Sequence, residues 1–216
     1  MSLSTVLQLL LGGFWKTLLV FTLTLVFSLP LGFVICAGRR CRFAPVNFLF
    51  RLLISVLRGT PLMLQLLAIC YGPYYLFKVR LPSGWTFTAL ILGFVINYAA
   101  YFAEIYRGGI DSMPVGQYEA AAVLGYTRSQ TFFKIILPQV VKRVLPSVTN
   151  EVITLVKDTS LSFVLAYAEM FTLAKQIAAA KTTFMPLFIA GIFYFIFNYV
   201  VAFVMEHLEK KLAYYR

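Results

Sequence analysis

Glu119-Ala120-Ala121-Ala122-Val123-Leu124-Gly125-Tyr126-Thr127-Arg128-Ser129-Gln130-Thr131-Phe132-Phe133-Lys134-Ile135-Ile136-Leu137-Pro138 is a polar stretch set between long apolar runs. Pro114 suits the first turn of a short helix running through Glu119-Ala120-Ala121-Ala122 to Leu124. Gly125 breaks that helix, and Thr127-Arg128-Ser129-Gln130 has the form of a capping box that restarts one. Leu137-Pro138 is expected to end the second helix. The segment 111–138 therefore reads as a helix–turn–helix lying at a membrane surface.

The runs on either side make the chain a membrane protein. Of its residues, 61% are hydrophobic and only 12% charged, against about one half and one quarter in soluble domains. A bilayer-crossing helix needs about 20 apolar residues. Charge-free runs of that order lie at Thr17–Ala37, Gly59–Phe77, Leu81–Ala103 and Thr182–Met205. A further span fits between Val144 and Ala168, although it carries Glu151, Lys157 and Asp158. The expectation is one all-α polytopic domain over 1–216, a five-span helical bundle with spans at about 8–38, 47–77, 83–106, 144–168 and 182–207; four spans is the alternative if the charged segment is re-entrant. Pro30, and the Gly59-Thr60-Pro61 break, should kink or interrupt helices. The N-terminus lacks a basic region and a cleavage site, so span one reads as retained.

Loop charges orient the spans. Arg39, Arg40, Arg42 and Arg51, then Arg107, Arg128, Lys134, Lys142 and Arg143, then Lys210, Lys211 and Arg216 fall on one side. Lys78, Arg80, Lys175 and Lys181 fall on the other. The positive-inside asymmetry puts the N-terminus outside, and the C-terminus and 111–138 in the cytoplasm. Lys16 is awkward at the outer end of span one, where it can snorkel. The net charge of +11 is thus topological and does not point to nucleic acid. Cys36, Cys41 and Cys70 lack metal-ligand spacing and read as small hydrophobes, and His207 reads as a membrane-edge residue.

Glu119-Ala120-Ala121, three residues, Gly125, nine residues, then Ile135-Ile136-Leu137-Pro138 resembles the EAA-x3-G-x9-I-x-LP pattern of binding-protein-dependent ABC importer permeases, matching at every defining position. The resemblance implies a type I ABC importer permease in the bacterial inner membrane, whose coupling helix docks on a separate ATPase. By motif position, Glu119, Ala120, Ala121 and Gly125 would carry that coupling. Arg58-Gly59-Thr60-Pro61-Leu62 with Gln65, the stretch Tyr101 to Ile110, and Leu155 to Leu161 look like the polar amino-acid branch. The implied partners are two ATPase copies, a second permease chain (the same or related), an extracytoplasmic amino-acid-binding protein and the bilayer. The chain itself would be no enzyme and hold no cofactor; ATP and Mg would sit in the ATPase.

Charges inside a bilayer usually face a bundle interior or a cavity. At about 100° per residue, Ser147, Asn150, Glu151, Thr154 and Asp158 share one face, with Lys157 at its margin. Asn97, Tyr101 and Glu104 share a face of span three. Both stripes could line a route for an amino acid, a carboxylate taking its ammonium. The competing reading is an internal network, such as Lys157 with Glu104 or Asp158. A rival function is an ion-coupled secondary transporter or channel using Glu104, Glu151 and Asp158, though the inverted repeats common there are not apparent. The residues leave the particular amino acid open.

Overall fold

The computed structural model describes residues 2–212. Arg216, counted among the inner charges, lies outside the described residues. Those described form helices and connections, with no strand among them.

Three helices are long and apolar enough to cross a membrane: α1 (Leu3–Arg39), α4 (Trp85–Asp111) and α9 (Met185–Leu212). α1 starts at Ser2, whose hydroxyl accepts from Thr5 N at 3.3 Å. Its 37 residues make a rod of about 55 Å, and it continues past Pro30 without a break. The lost hydrogen bond there is tolerated inside a packed bundle.

Between α1 and α4 lie α2 (Ala44–Gly59) and α3 (Leu62–Phe77), which meet at 111°. The expected 47–77 span is therefore sharply broken. Pro61 offers no N–H and forces Thr60 into extended backbone, φ −121° and ψ 149°. The carbonyls freed by the break are recaptured by side chains. Gln65 Nε2 donates to Leu57 O at 2.8 Å and Thr60 O at 3.1 Å, and Asn97 Nδ2 donates to Leu57 O at 3.3 Å. Asn97 also donates to Gln65 Oε1 at 3.0 Å, so α4 is tied directly to the break.

After α4 come α5 (Val115–Val123) and α6 (Arg128–Gln130). The expected stop at Leu137-Pro138 is not observed. A π-helical turn over Thr131–Ile136 leads straight into α7 (Leu137–Asp158). The turn bonds Leu137 N to Phe132 O, and this wider register suits a proline that can neither donate nor fit a tight α turn. α7 passes through a 3-10 turn, Thr159–Leu165, to α8 (Met170–Lys181) across a 55° bend. The expected 144–168 stretch takes in most of α7 and the 3-10 turn, and after a non-helical break at 166–169 the chain is helical again from Met170 to Lys181.

Glu169 makes that bend possible. It is fully buried and caps α8 by accepting from Phe171 N at 2.8 Å and Thr172 N at 2.7 Å. It also accepts from Thr17 Oγ1 of α1 at 3.1 Å and Tyr194 OH of α9 at 2.9 Å. One carboxylate thus joins three helices.

α4 is the axis of the bundle, with Leu90, Phe94, Tyr98 and Phe102 buried. Lipid gives helices no hydrophobic reason to associate, so close approach of small residues must do it. A Cβ at Gly32 of α1 would stand 2.8 Å from Phe102 Cβ and 3.1 Å from Ala99 O.

Two outcomes check this packing. Gly32→Leu should destabilise the detergent-solubilised protein by about 1–3 kcal/mol, lowering its thermal midpoint, while Gly12→Leu, with nothing within 4 Å of its Cβ, should leave it unchanged. Glu169→Ala should cost about as much or more, because several donors lose their acceptor; an unshifted melting curve would refute the role given to that cap.

Candidate functional site

Two regions carry the residues singled out by the sequence. The first is the α5–α6 segment. α5 ends in a Schellman turn, with Tyr126 N donating to Ala121 O and Gly125 N to Ala122 O, both at 3.0 Å. Gly125 has φ +75°, which only glycine adopts without strain. The capping box is formed: Gln130 N donates to Thr127 Oγ1 at 3.3 Å and Thr127 N to Gln130 Oε1 at 2.9 Å.

This unit is clamped to the bundle. Ala121 is 1% exposed, facing its own chain. Gln139 Nε2 donates to Gln117 Oε1 at 3.2 Å, and Arg143 Nη1 to Ser112 Oγ at 3.1 Å. The opposite face is open: Glu119 and Ala120 are exposed, as are Val123 at 88% and Leu124 at 72%. Of the four motif residues, Glu119 and Ala120 can meet a partner, Ala121 holds the helix down, and Gly125 makes the turn.

The second region is the polar stripe, which the structure divides by commitment. Asn97 is buried and committed to the α2–α3 break. Glu104 is held bidentately by Arg107, at 3.1 Å (Nε to Oε1) and 2.8 Å (Nη2 to Oε2), with Arg39 Nε at 3.9 Å. The suggested Lys157–Glu104 pairing is therefore replaced by an arginine cluster at the end of α4. Asp158 accepts from Tyr98 OH at 2.7 Å, joining α7 to α4. Thr154 Oγ1 donates back to Asn150 O at 2.9 Å within α7.

Asn150 and Glu151 remain: Asn150 is exposed and Glu151 half-buried. Arg58, on the last turn of α2, is the cation whose charge acts on Glu151, and its guanidinium lies 5.1 Å from the Tyr101 ring centre. Arg58, Tyr101 and Glu104 line one face of an open cleft of about 470 Å³ that also takes in Arg39 and Arg51. Arg58 lies on neither polar stripe; its signal in the sequence is a lone arginine beside a proline break. Glu169 and Gln65 likewise belong to no helical stripe. Among the described residues, no group of His, Cys, Asp and Glu side chains could hold a metal ion.

Comparison with known proteins agrees with this arrangement. The chain matches the family described as binding-protein-dependent transport system inner membrane component over residues 28–214. It is 32% identical to the L-cystine transport system permease protein of Bacillus subtilis (strain 168), covering 94% of this chain and 86% of that one. It is also 32% identical to an arginine transport system permease protein of the same organism, covering 94% and 92%. Among solved structures it resembles an amino acid ABC transporter crystallised with histidines, at 31% identity and TM-score 0.86 over 94% of both chains. A methionine ABC transporter in an inward-facing state shares the fold, with TM-score 0.77 at 18% identity. Matched along most of its length, the chain belongs to the binding-protein-dependent transport system inner membrane components, the membrane-spanning permease subunits of ABC importers.

Proposed function

We propose that the chain forms the translocation path of an ATP-driven amino-acid importer and takes its power stroke through α5. The observation that carries this reading is the exposed face Glu119, Ala120, Val123 and Leu124 on a helix clamped from behind by Ala121. Two bare aliphatic side chains at a charged end of the bundle call for a protein partner. In this reading that partner is an ATPase subunit, one for each of two permease chains, and an extracytoplasmic binding protein delivers the substrate. ATP and Mg belong to the ATPase.

The spans number five when each bent helix pair is taken as one. The N-terminus is outside, and 111–138 and the C-terminus are cytoplasmic, as the arginine-rich ends of α1, α2 and α4 support. α5 sits between α4 and α7, so a displacement of α5 reaches both helices of the polar stripe.

The substrates of those two relatives, L-cystine and arginine, share the α-amino-acid zwitterion. Such a ligand needs an anion for its ammonium and a cation for its carboxylate. Glu151, helped by Asn150, supplies the first; Arg58, steadied on Tyr101, supplies the second. Thr154 and Asp158 border the route. Asn97 and Glu104 act behind it, by holding the α2–α3 break and the arginine cluster.

Replacing Val123 and Leu124 together by Asp should reduce recovery of the ATPase subunit with the permease by at least about tenfold, with the thermal midpoint of the permease unchanged; undiminished recovery would sink the docking assignment. Glu151→Gln should raise the KM for uptake at least about tenfold, since a hydrogen bond to a charged group is lost, while ATPase activity without substrate stays the same. Uptake indifferent to Glu151→Gln would remove Glu151 from the path.

A further inference from the structure

Where α1 and α4 end, a second concavity opens between the α1–α2 connection and the α5–α6 turn, and the transport scheme above makes no use of it. It measures about 590 Å³, and its polar lining includes Arg40, Arg42, Arg128, Tyr118 and Tyr126, with Ile110 and Phe132 among its apolar walls. Arg40 is neutralised by Asp111, which also pairs with Arg107 at 2.8 Å. Arg42 and Arg128 meet no carboxylate among the described residues, and neither tyrosine hydroxyl has a hydrogen-bond partner there. Two uncompensated guanidinium groups and two free hydroxyls thus converge on one space. Like charges so gathered repel, and an anion bound between them relieves the repulsion.

Three features choose among anions. Arg40 directly follows the last residue of α1 and Ile110 is the last but one of α4, so the pocket lies where two apolar rods leave the hydrocarbon. Its Ile110 and Phe132 walls suit a ligand with an apolar part beside its charge. On α5, at 100° per residue, Tyr118 and Ala122 lie on a different side from the docking residues Glu119, Ala120, Val123 and Leu124, so the pocket is set apart from the ATPase-facing surface. We propose that this pocket binds the phosphodiester head of an anionic glycerophospholipid from the leaflet in which α1 and α4 end. Bound there, the phosphate ties the α1–α2 connection to the α5–α6 turn and braces the coupling segment against the stroke.

The test uses the permease–ATPase complex in nanodiscs of phosphatidylcholine with a minor fraction of phosphatidylglycerol, the lipid retained after exchange being counted by native mass spectrometry. Wild-type complex should retain phosphatidylglycerol preferentially. Arg42→Gln with Arg128→Gln should weaken retention about thirtyfold, or about fivefold for each arginine lost near an anionic lipid surface. Arg42→Lys with Arg128→Lys, which keeps the charge, should preserve most of it, and millimolar inorganic phosphate should not displace the lipid. Equal retention by the glutamine variant would overturn the proposal. Displacement by inorganic phosphate would overturn it in favour of a free-phosphate pocket. Loss of the ATPase subunit from that variant in pure phosphatidylcholine discs would overturn it in favour of an acidic protein partner.

Discussion

No backbone carbonyl can be left unpaired in hydrocarbon, and this chain nevertheless breaks two of its helices within the bundle. The rest of the structure follows from how those breaks are satisfied. At Thr60-Pro61 the freed carbonyls are taken by Gln65 and Asn97; at the 55° bend the amides that open α8 are taken by Glu169. Each cap draws in neighbouring helices, α4 at the first break and α1 and α9 at the second. The polar groups that would be expensive in a membrane are thereby the fastenings of the bundle.

These fastenings separate architecture from function. Asn97, Glu169, Gln65 and Thr17 are spent on backbone or on caps, Glu104 on an arginine cluster, and Asp158 on Tyr98. Asn150, Glu151 and the guanidinium of Arg58 make no such side-chain hydrogen bond or ion pair among the described residues, and in the proposed reading they are the groups that meet the zwitterion. A transport path needs such uncommitted groups, because a ligand held by a fully satisfied network would gain nothing on arrival.

Much of this was legible in the residues themselves. The all-α membrane class follows from long charge-free runs, and α5, the Gly125 turn and the Thr127–Gln130 capping box follow from short-range rules that act within a few residues. The Pro61 break was visible for the same reason. Its 111° size was not, because the angle depends on where α3 packs against α4. Pro138 was misleading: proline usually ends a helix, yet a π turn absorbs it. The polar stripe on α7 is a true periodicity, but the sequence could not divide its members into committed and free. That division depends on Tyr98 and Arg58, which belong to other helices, and Glu169, isolated at a helix end, has no periodic signature.

In an ABC importer of this family the membrane-spanning chain lends a path to a motor housed in another subunit. Uptake of radiolabelled amino acid into proteoliposomes measures it directly, comparing the permease alone under an imposed proton or sodium gradient with the permease–ATPase complex given ATP and loaded binding protein. The expected result is no gradient-driven uptake by the chain alone, and accumulation by the complex that stops when ATP is withheld. Accumulation by the purified chain without ATP would contradict it.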